Sequence, residues 1–319
     1  MAEPNAFTGA LVDRAEDGRR RIEGWVDEQR GEPRSRVLLA ADEGVRAEQG
    51  SLVLAPLAAE EAGADRRAVL LGIDSLGPLW ALDRGPSPAD GERPVLIGAG
   101  GRRGEPIADV PGWLGLREAA GTLSQAEGGL AAYAVALLNW HRSHRHCANC
   151  GAPTGPVEGG AARRCPRCGA NHHPRTDPVV IMLVVDGDRV ILGRQASWPA
   201  QRYSALAGFV SPGENLEEAV AREVREEAGV EVARPRYMSS QPWPFPGSLM
   251  LGFLVPWESG AVGGSDPELQ DVRWFTRAEV AEAAERNERW DVDGIGGDLQ
   301  LPPRAAIARR LVEGWLDDD

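Results

Sequence analysis

The sequence predicts an α/β protein of two domains with a small cysteine-bearing ribbon between them. Three observations carry this. Short apolar runs bounded by Gly, Pro and Asp alternate with helix-forming segments along 319 residues, a length beyond the usual single domain. Two Cys-x-x-Cys pairs interrupt that alternation in mid-chain. A glycine-containing loop from Ala207 to Glu214 hands over to a helix rich in Leu, Ala, Glu and Arg, which Gly229 closes.

The N-terminal α/β domain is expected over residues 1–122. Arg36–Ala40, Ser51–Leu54, Ala68–Gly72 and Pro94–Gly98 read as its strands. No constellation of chemistry appears there, so the reading is a packing and dimer-forming domain. From Leu123 the period changes. Leu130, Tyr133, Ala134, Leu137 and Leu138 recur at helical spacing, which predicts a bridging helix over 123–142.

The ribbon is expected over 143–172. Cys147 and Cys150 precede Gly151, and Cys165 and Cys168 precede Gly169. Each glycine lets main-chain amides turn toward the sulfurs, and four thiolates at this spacing suit a tetrahedral Zn²⁺. A redox dithiol needs one such pair, not two. With all four ligands supplied by the protein, the zinc would be structural. His141, Arg142, His144, Arg145, Arg163 and Arg164 flank the ribbon and leave room for local nucleic-acid contact, although a solvated rim is the simpler reading.

The third region, 173–319, carries the chemistry. Val179–Val185 reads as a buried central strand, turned at Asp186–Asp188 onto a partner strand Arg189–Leu192. His173, just ahead, is a lone histidine and reads as a packing or stacking residue. In the helix after the loop, at about 100° per residue, Leu216, Val220 and Val224 mark the buried stripe. Glu223 and Glu227 fall inside that stripe and Glu226 at its border, while Glu218 and Arg225 face water. Carboxylates turned toward a core lose solvation and repel one another at i and i+4. A hard divalent cation, Mg²⁺ or Mn²⁺, removes both penalties. The alternative is a solvated acidic helix face.

Beyond the helix, three prolines alternate with Gln241, Trp243 and Phe245 in the stretch from Ser240 to Ser248. Proline lowers loop entropy, which suits a segment presenting flat rings and an amide at set positions. Trp243 and Gln241 read as ring stacking and edge recognition of a base, Phe245 as a hydrophobic plug. Met250–Val255 and Glu268–Phe275 read as strands, Thr276 as the cap of a helix through Ala284, and Pro302–Val312 as an amphipathic last helix opening on proline.

Composition narrows the function. A net charge of −13 argues against a general nucleic-acid binder. All 35 basic residues are Arg, which excludes a P-loop or Schiff-base lysine. The longest apolar run, Val179–Val185, is far short of a membrane span, and no charged-then-apolar leader opens the sequence. Four cysteines confined to one region fit a reducing compartment. The expectation is therefore a cytoplasmic protein without membrane contact.

Gly208, Glu214 and then Arg222-Glu223-Val224-Arg225-Glu226-Glu227-Ala228-Gly229-Val230 match the signature box of the Nudix hydrolases at every defined position. With the ribbon ahead of the box and the proline-aromatic array behind it, the chain resembles the NADH pyrophosphatase family of Nudix hydrolases. The resemblance implies a C-terminal Nudix fold, a mixed sheet sandwiched by helices, with the ribbon and an N-terminal degenerate Nudix-like α/β domain. It implies catalytic Glu223, Glu226 and Glu227 holding Mg²⁺ or Mn²⁺, the shell completed by the Ala207 carbonyl and Glu268. Gln241, Pro242, Trp243, Pro244, Phe245, Pro246, Gly247 and Ser248 would line a dinucleotide pocket, with Phe209 stacking on a base and Ala308 near it. Arg117 matches a substrate-contacting arginine, and Arg222 would pair with Glu214. Two positions depart from the family. His173 stands where a tyrosine, thought to stack on the base from the partner subunit, is usual. Gly160 stands where relatives can carry a substrate-contacting carboxylate.

The implied reaction is hydrolysis of the pyrophosphate of NADH or NAD⁺ to AMP and nicotinamide mononucleotide, by a homodimer. Two alternatives accompany it: removal of NAD caps from RNA 5′ ends by the same chemistry, and an NAD(H)-binding sensor that does not cleave. Three converging acids speak against the sensor.

Overall fold

A computed structural model describes residues 4–41, 43–62, 68–84, 111–263, 268–286 and 299–318. The chain forms two compact units. One comprises residues 6–176 with 242–247; the other comprises 1–5, 177–241 and 248–319. The expected strand Pro94–Gly98 lies outside the described residues.

In the first unit the chain enters through helix α1 (Trp25–Gly31) and runs through strands β1 (Arg36–Ala41), β2 (Gly44–Glu48), β3 (Ser51–Leu52) and β4 (Leu54–Pro56). Helix α2 (Leu57–Glu61), strands β5 (Val69–Asp74), β6 (Gly77–Asp83) and β7 (Trp113–Gly115), and helices α3 (Leu116–Thr122) and α4 (Gln125–Ser143) complete the α/β part. The sheet runs β3-β2-β1-β6-β5, with β4 on β1 and β7 on β2, and only β1 and β6 are parallel. Alternation along β1 sorts its side chains by face. Leu38 and Ala40 pack with Val135 and Leu138 of α4, while Val37 and Leu39 pack with Leu57 and, at the border, Trp25. Ser124 caps α4 by accepting the Glu127 N–H. The ribbon follows as strands β8 (Gly155–Val157), β9 (Ala162–Arg164) and β10 (Asn171–His172), paired antiparallel.

The second unit has strands β11 (Asp177–Asp186), β12 (Arg189–Arg194) and β13 (Leu206–Phe209), helix α5 (Leu216–Ala228), and strands β14 (Glu231–Val232), β15 (Arg236–Trp243), β16 (Ser248–Ser259) and β17 (Asp271–Thr276). Helices α6 (Arg277–Glu285) and α7 (Ile307–Asp317) close it. The sheet is mixed: β11 is parallel to β16 and antiparallel to β12 and β13. Both faces of β11 are buried, as its unbroken apolar run requires. Val180, Met182 and Val184 pack on Val220 and Val224 of α5. Ile181 and Leu183 pack on Val280 of α6 and Ile307, Leu311 and Trp315 of α7. The last helix starts at Ile307, later than its prolines suggested, and α6 is capped by Thr276 and Glu279 reciprocally. No helix among the described residues is long and apolar enough to cross a membrane.

Candidate active site

The chemistry of the second unit concentrates where α5 crosses β13. Register fixes β13 on β11, with Ala207 opposite Ile181 and Phe209 opposite Val179. Both ends of α5 are fixed as well. Asn215 accepts the Glu218 N–H at 2.8 Å while the Glu218 carboxylate accepts the Asn215 N–H at 2.9 Å. Gly229 ends the helix at φ 70°, a conformation glycine adopts without strain. These ends set the rotation that buries Ala219, Val220, Val224 and Ala228.

The same rotation carries Glu227 inside, 6% exposed, and half-buries Glu223. The Glu223 carboxylate rests on the main chain of β13: a Cβ at Gly208 would come within 1.9 Å of its Cδ. Burial pushes the Glu223 carboxyl above the usual carboxylate range, against the pull of Arg222 and with the help of Glu226 and Glu214. Glu226 is exposed, so two of the three expected acids face inward and the third lies at the rim, as a border position on the wheel requires.

Arg222 ties loop to helix. Its Nε and Nη2 donate to Glu214 at 2.5 and 3.0 Å, Nη2 also to the Phe209 carbonyl at 2.9 Å, and Nη1 to Glu223 and Glu226 at 2.8 and 2.9 Å. Glu214, held well below the usual carboxylate range by Arg222, also accepts the Ser211 N–H at 2.9 Å. Only a planar five-donor fork can make this set of bonds. The donors around β13 are hard oxygens, partly desolvated and only partly neutralised by one guanidinium, which is the donor chemistry of Mg²⁺ or Mn²⁺. Glu223, Glu226 and Glu227 nevertheless do not stand closely enough together here to share an ion. Glu268 lies exposed in the turn ahead of β17. Phe209 is exposed at the end of β13, and Ala308 is buried in α7.

Gln241 is in the interior, fully buried. Its Nε2 donates to the Ala305 carbonyl at 2.7 Å and its Oε1 accepts the Ile307 N–H at 2.8 Å. It thereby caps α7, whose own N-cap, Ala306, has no side chain able to do so. The amide expected at a base edge is thus engaged by main chain.

In the first unit Arg117 of α3 lies over the rings of the array, 4.0 Å from the Phe245 centroid and 5.5 Å from that of Trp243. Trp243 and Phe245 meet edge to face at 5.1 Å, and Phe7 packs edgewise on both. Phe7 carried no periodic signal in the sequence. Pro244 is buried, Pro242 and Gly247 are half-buried, Pro246 is exposed, and Ser248 opens β16. His173 is exposed. Gly160 cannot carry a carboxylate in this fold: at φ 97°, a Cβ there would lie 2.6 Å from Cγ1 of Val69.

The four cysteines are the one group of three or more His, Cys, Asp or Glu side chains, among the described residues, drawn closely enough to share an ion. Cys147 and Cys168, and Cys150 and Cys165, are 3.5 Å apart at sulfur. The two knuckles are alike: Gly151 and Gly169 take φ 73° and 74°, and their N–H groups donate to the Cys147 and Cys165 carbonyls. The Ala152 N–H, with Arg167, holds the Cys150 thiol down to about 6. Although the Ala170 N–H favours a thiolate at Cys168, the three neighbouring sulfurs push that thiol up to about 12. Four sulfurs crowded so closely cannot all ionise alone, and a tetrahedral Zn²⁺ resolves the conflict.

Three family models match along the chain: the NADH pyrophosphatase-like rudimentary NUDIX domain over residues 33–140, the NADH pyrophosphatase zinc ribbon domain over 142–172, and the NUDIX domain over 175–293. The chain is 40% identical to the NAD-capped RNA hydrolase NudC of Stutzerimonas stutzeri over 237 residues, 70% of this chain and 79% of that one. It is 44% identical to the NAD-capped RNA hydrolase NudC of Mycobacterium tuberculosis over 218 residues, 66% of this chain and 68% of that one. With sheet, ribbon and acid-bearing helix in the order those models describe, the chain belongs to the NADH pyrophosphatase family of Nudix hydrolases.

Proposed function

We propose that the protein hydrolyses the pyrophosphate bond of NADH or NAD⁺, giving AMP and nicotinamide mononucleotide. The observation that carries this reading is the pair of inward carboxylates, Glu223 and Glu227, set against β13 in a chain of this family. Glu223, Glu227 and the Ala207 carbonyl would hold Mg²⁺ or Mn²⁺, with Glu226 and Glu268 completing the shell. Such an ion, when bound, screens phosphate charge and lowers the pKa of water. Glu227, the more deeply buried acid, would orient that water and take its proton. Arg222 keeps loop and helix in register around it. No Ser or Cys nucleophile is needed, because water attacks phosphorus directly. Phe209, Arg117, His173, Ala308 and the stretch Pro242–Ser248 are the residues we assign to substrate, while the buried Gln241 serves the start of α7 instead.

A second reading shares this chemistry. The relatives are named as NAD-capped RNA hydrolases, which favours an NAD cap on RNA as substrate beside the free dinucleotide. A homodimer in the cytoplasm is the expected setting.

The test is an incubation with Mn²⁺ and either NADH or an NAD-capped RNA, read for AMP or for decapped RNA. Glu227→Gln is expected to fold, keep its zinc and lose turnover by orders of magnitude. Parental rates in that variant would remove Glu227 from the mechanism. If the parent cleaves neither substrate, the hydrolase reading fails.

A further inference from the structure

The two cysteine knuckles repeat each other in the main chain and differ at one sulfur. The Cys147 N–H donates to the Ala152 carbonyl at 2.8 Å, and the Cys165 N–H to the Ala170 carbonyl at 2.9 Å. The second sulfur of each knuckle accepts a main-chain N–H, from Ala152 at Cys150 and from Ala170 at Cys168. The first sulfurs are not alike. Nε2 of His172 stands 3.3 Å from the Cys147 sulfur, whereas the Cys165 sulfur bonds only to other sulfurs among the described residues.

His172 reaches Cys147 because its strand is fixed. β10 pairs antiparallel with β9, which sets His172 opposite Arg163. Arg163 is buried and engaged on every side. Its Nε donates to Thr154 Oγ1 at 2.8 Å, Nη2 to the Thr154 carbonyl at 2.6 Å, and Nη1 to Nδ1 of His141 at 3.0 Å. Thr154 follows the first knuckle, and its own N–H donates to the Arg145 carbonyl, just ahead of that knuckle, at 2.8 Å. Strand register and one guanidinium thus bring the His172 ring and the Cys147 sulfur together. The next residue, His173, is exposed while His172 is half-buried, so the adjacent histidines have separate surroundings.

A thiol can donate or accept a hydrogen bond, but the thiolate that binds Zn²⁺ can only accept. Against such a sulfur Nε2 must carry the proton. Four thiolates around one divalent ion leave an excess of negative charge, and N–H donors on the sulfurs draw that charge off. Cys150 and Cys168 take their donors from the main chain. The donor at Cys147 is a side chain, so it is the one that substitution can remove.

We propose that His172 belongs to the zinc site without ligating the ion: its Nε2–H donates to the Cys147 thiolate and holds that sulfur on the metal. His172 is a positioning residue, and the rate at which zinc leaves reads its effect. The full chain, loaded with zinc, is mixed with excess of a colour-forming chelator at fixed pH and salt. His172→Ala and His172→Phe are expected to release zinc about tenfold faster than wild type, the lower end of what losing a partner behind a metal ligand costs. His172→Gln keeps an N–H donor and should return most of the way to the wild-type rate. Phenylalanine keeps the bulk of the ring, so a role in packing alone would leave His172→Phe as slow as wild type. Should a substitution unfold the ribbon, the wild-type chain still decides. Labelled with ¹⁵N and loaded with ¹¹³Cd, it is expected to show a proton on Nε2 of His172 and no one-bond coupling from that nitrogen to cadmium. A bare Nε2, a direct coupling to cadmium, or wild-type release from His172→Phe overturns the proposal. Neither dinucleotide nor turnover enters these measurements, so their failure leaves the hydrolase reading untouched.

Discussion

The Glu223 carboxylate occupies the space a side chain at Gly208 would need, with Cδ only 1.9 Å from where a Cβ would stand. Glycine at this position is therefore a condition for the acid to reach the main chain of β13. Gly208→Ala is expected to displace the carboxylate rather than the sheet, because the far end of a side chain yields before paired backbone does. Activity should fall about a hundredfold, the scale of a misplaced reacting group, while the melting temperature moves little. Steady-state kinetics beside a melting curve checks this. Wild-type turnover in the alanine variant would mean that Glu223 has no need of β13.

His141 offers a test by pH. Burial, with the Arg163 charge beside it, lowers its pKa from 6.5 to about 4, against the pull of the Gly160 carbonyl. Arg163 donates to Nδ1 at 3.0 Å and Nε2 lies 2.8 Å from that carbonyl, an arrangement for the neutral ring. The unfolded chain then binds the proton more readily than the folded one. This contribution to stability is complete above pH 6.5 and is lost as pH falls toward 4, by about 3 kcal/mol at most. Urea unfolding at several pH values should show a steeper acid loss in wild type than in His141→Gln. Equal slopes would assign the acid sensitivity elsewhere.

Zinc removal should disturb the first unit more than the second. The four sulfurs lie together in the ribbon, and the Cys168 thiol is pushed up to about 12 by its neighbours, so stripping the ion should take up protons as it frees thiols. One zinc per chain is expected by native mass spectrometry. Mercurial titration should release it as the four thiols react. A purified protein holding no zinc yet melting normally would contradict the assignment.

Legibility in the sequence followed the strength of local periodicity. Val179–Val185, the acid-bearing helix and the cysteine knuckles were readable because each repeats one chemistry at one spacing, and register or capping then leaves little freedom. Gly44–Glu48 and Gly77–Asp83 were not foreseen as strands. The first mixes Gly, Val, Arg, Ala and Glu, and the second opens on Gly-Pro, so both became strands through pairing with β1. At the candidate site the inward turn of Glu223 and Glu227 was visible on the wheel. The stacking of Phe7 with Trp243 was not, since it joins residues more than two hundred positions apart with no shared period.

Gln241 separates a structural role from a recognition role. Both ends of its amide are committed, one to the Ala305 carbonyl and one to the Ile307 N–H, and the residue is fully buried. Gln241→Leu keeps the bulk and leaves two main-chain groups in the interior without their partner. Each buried unsatisfied group costs about 1–3 kcal/mol, so a loss of that order is expected from chemical unfolding. KM for NADH should change less than twofold if the amide serves only α7. A rise in KM of tenfold or more with little loss of stability would instead return Gln241 to the base edge that its place in the proline-aromatic array first suggested.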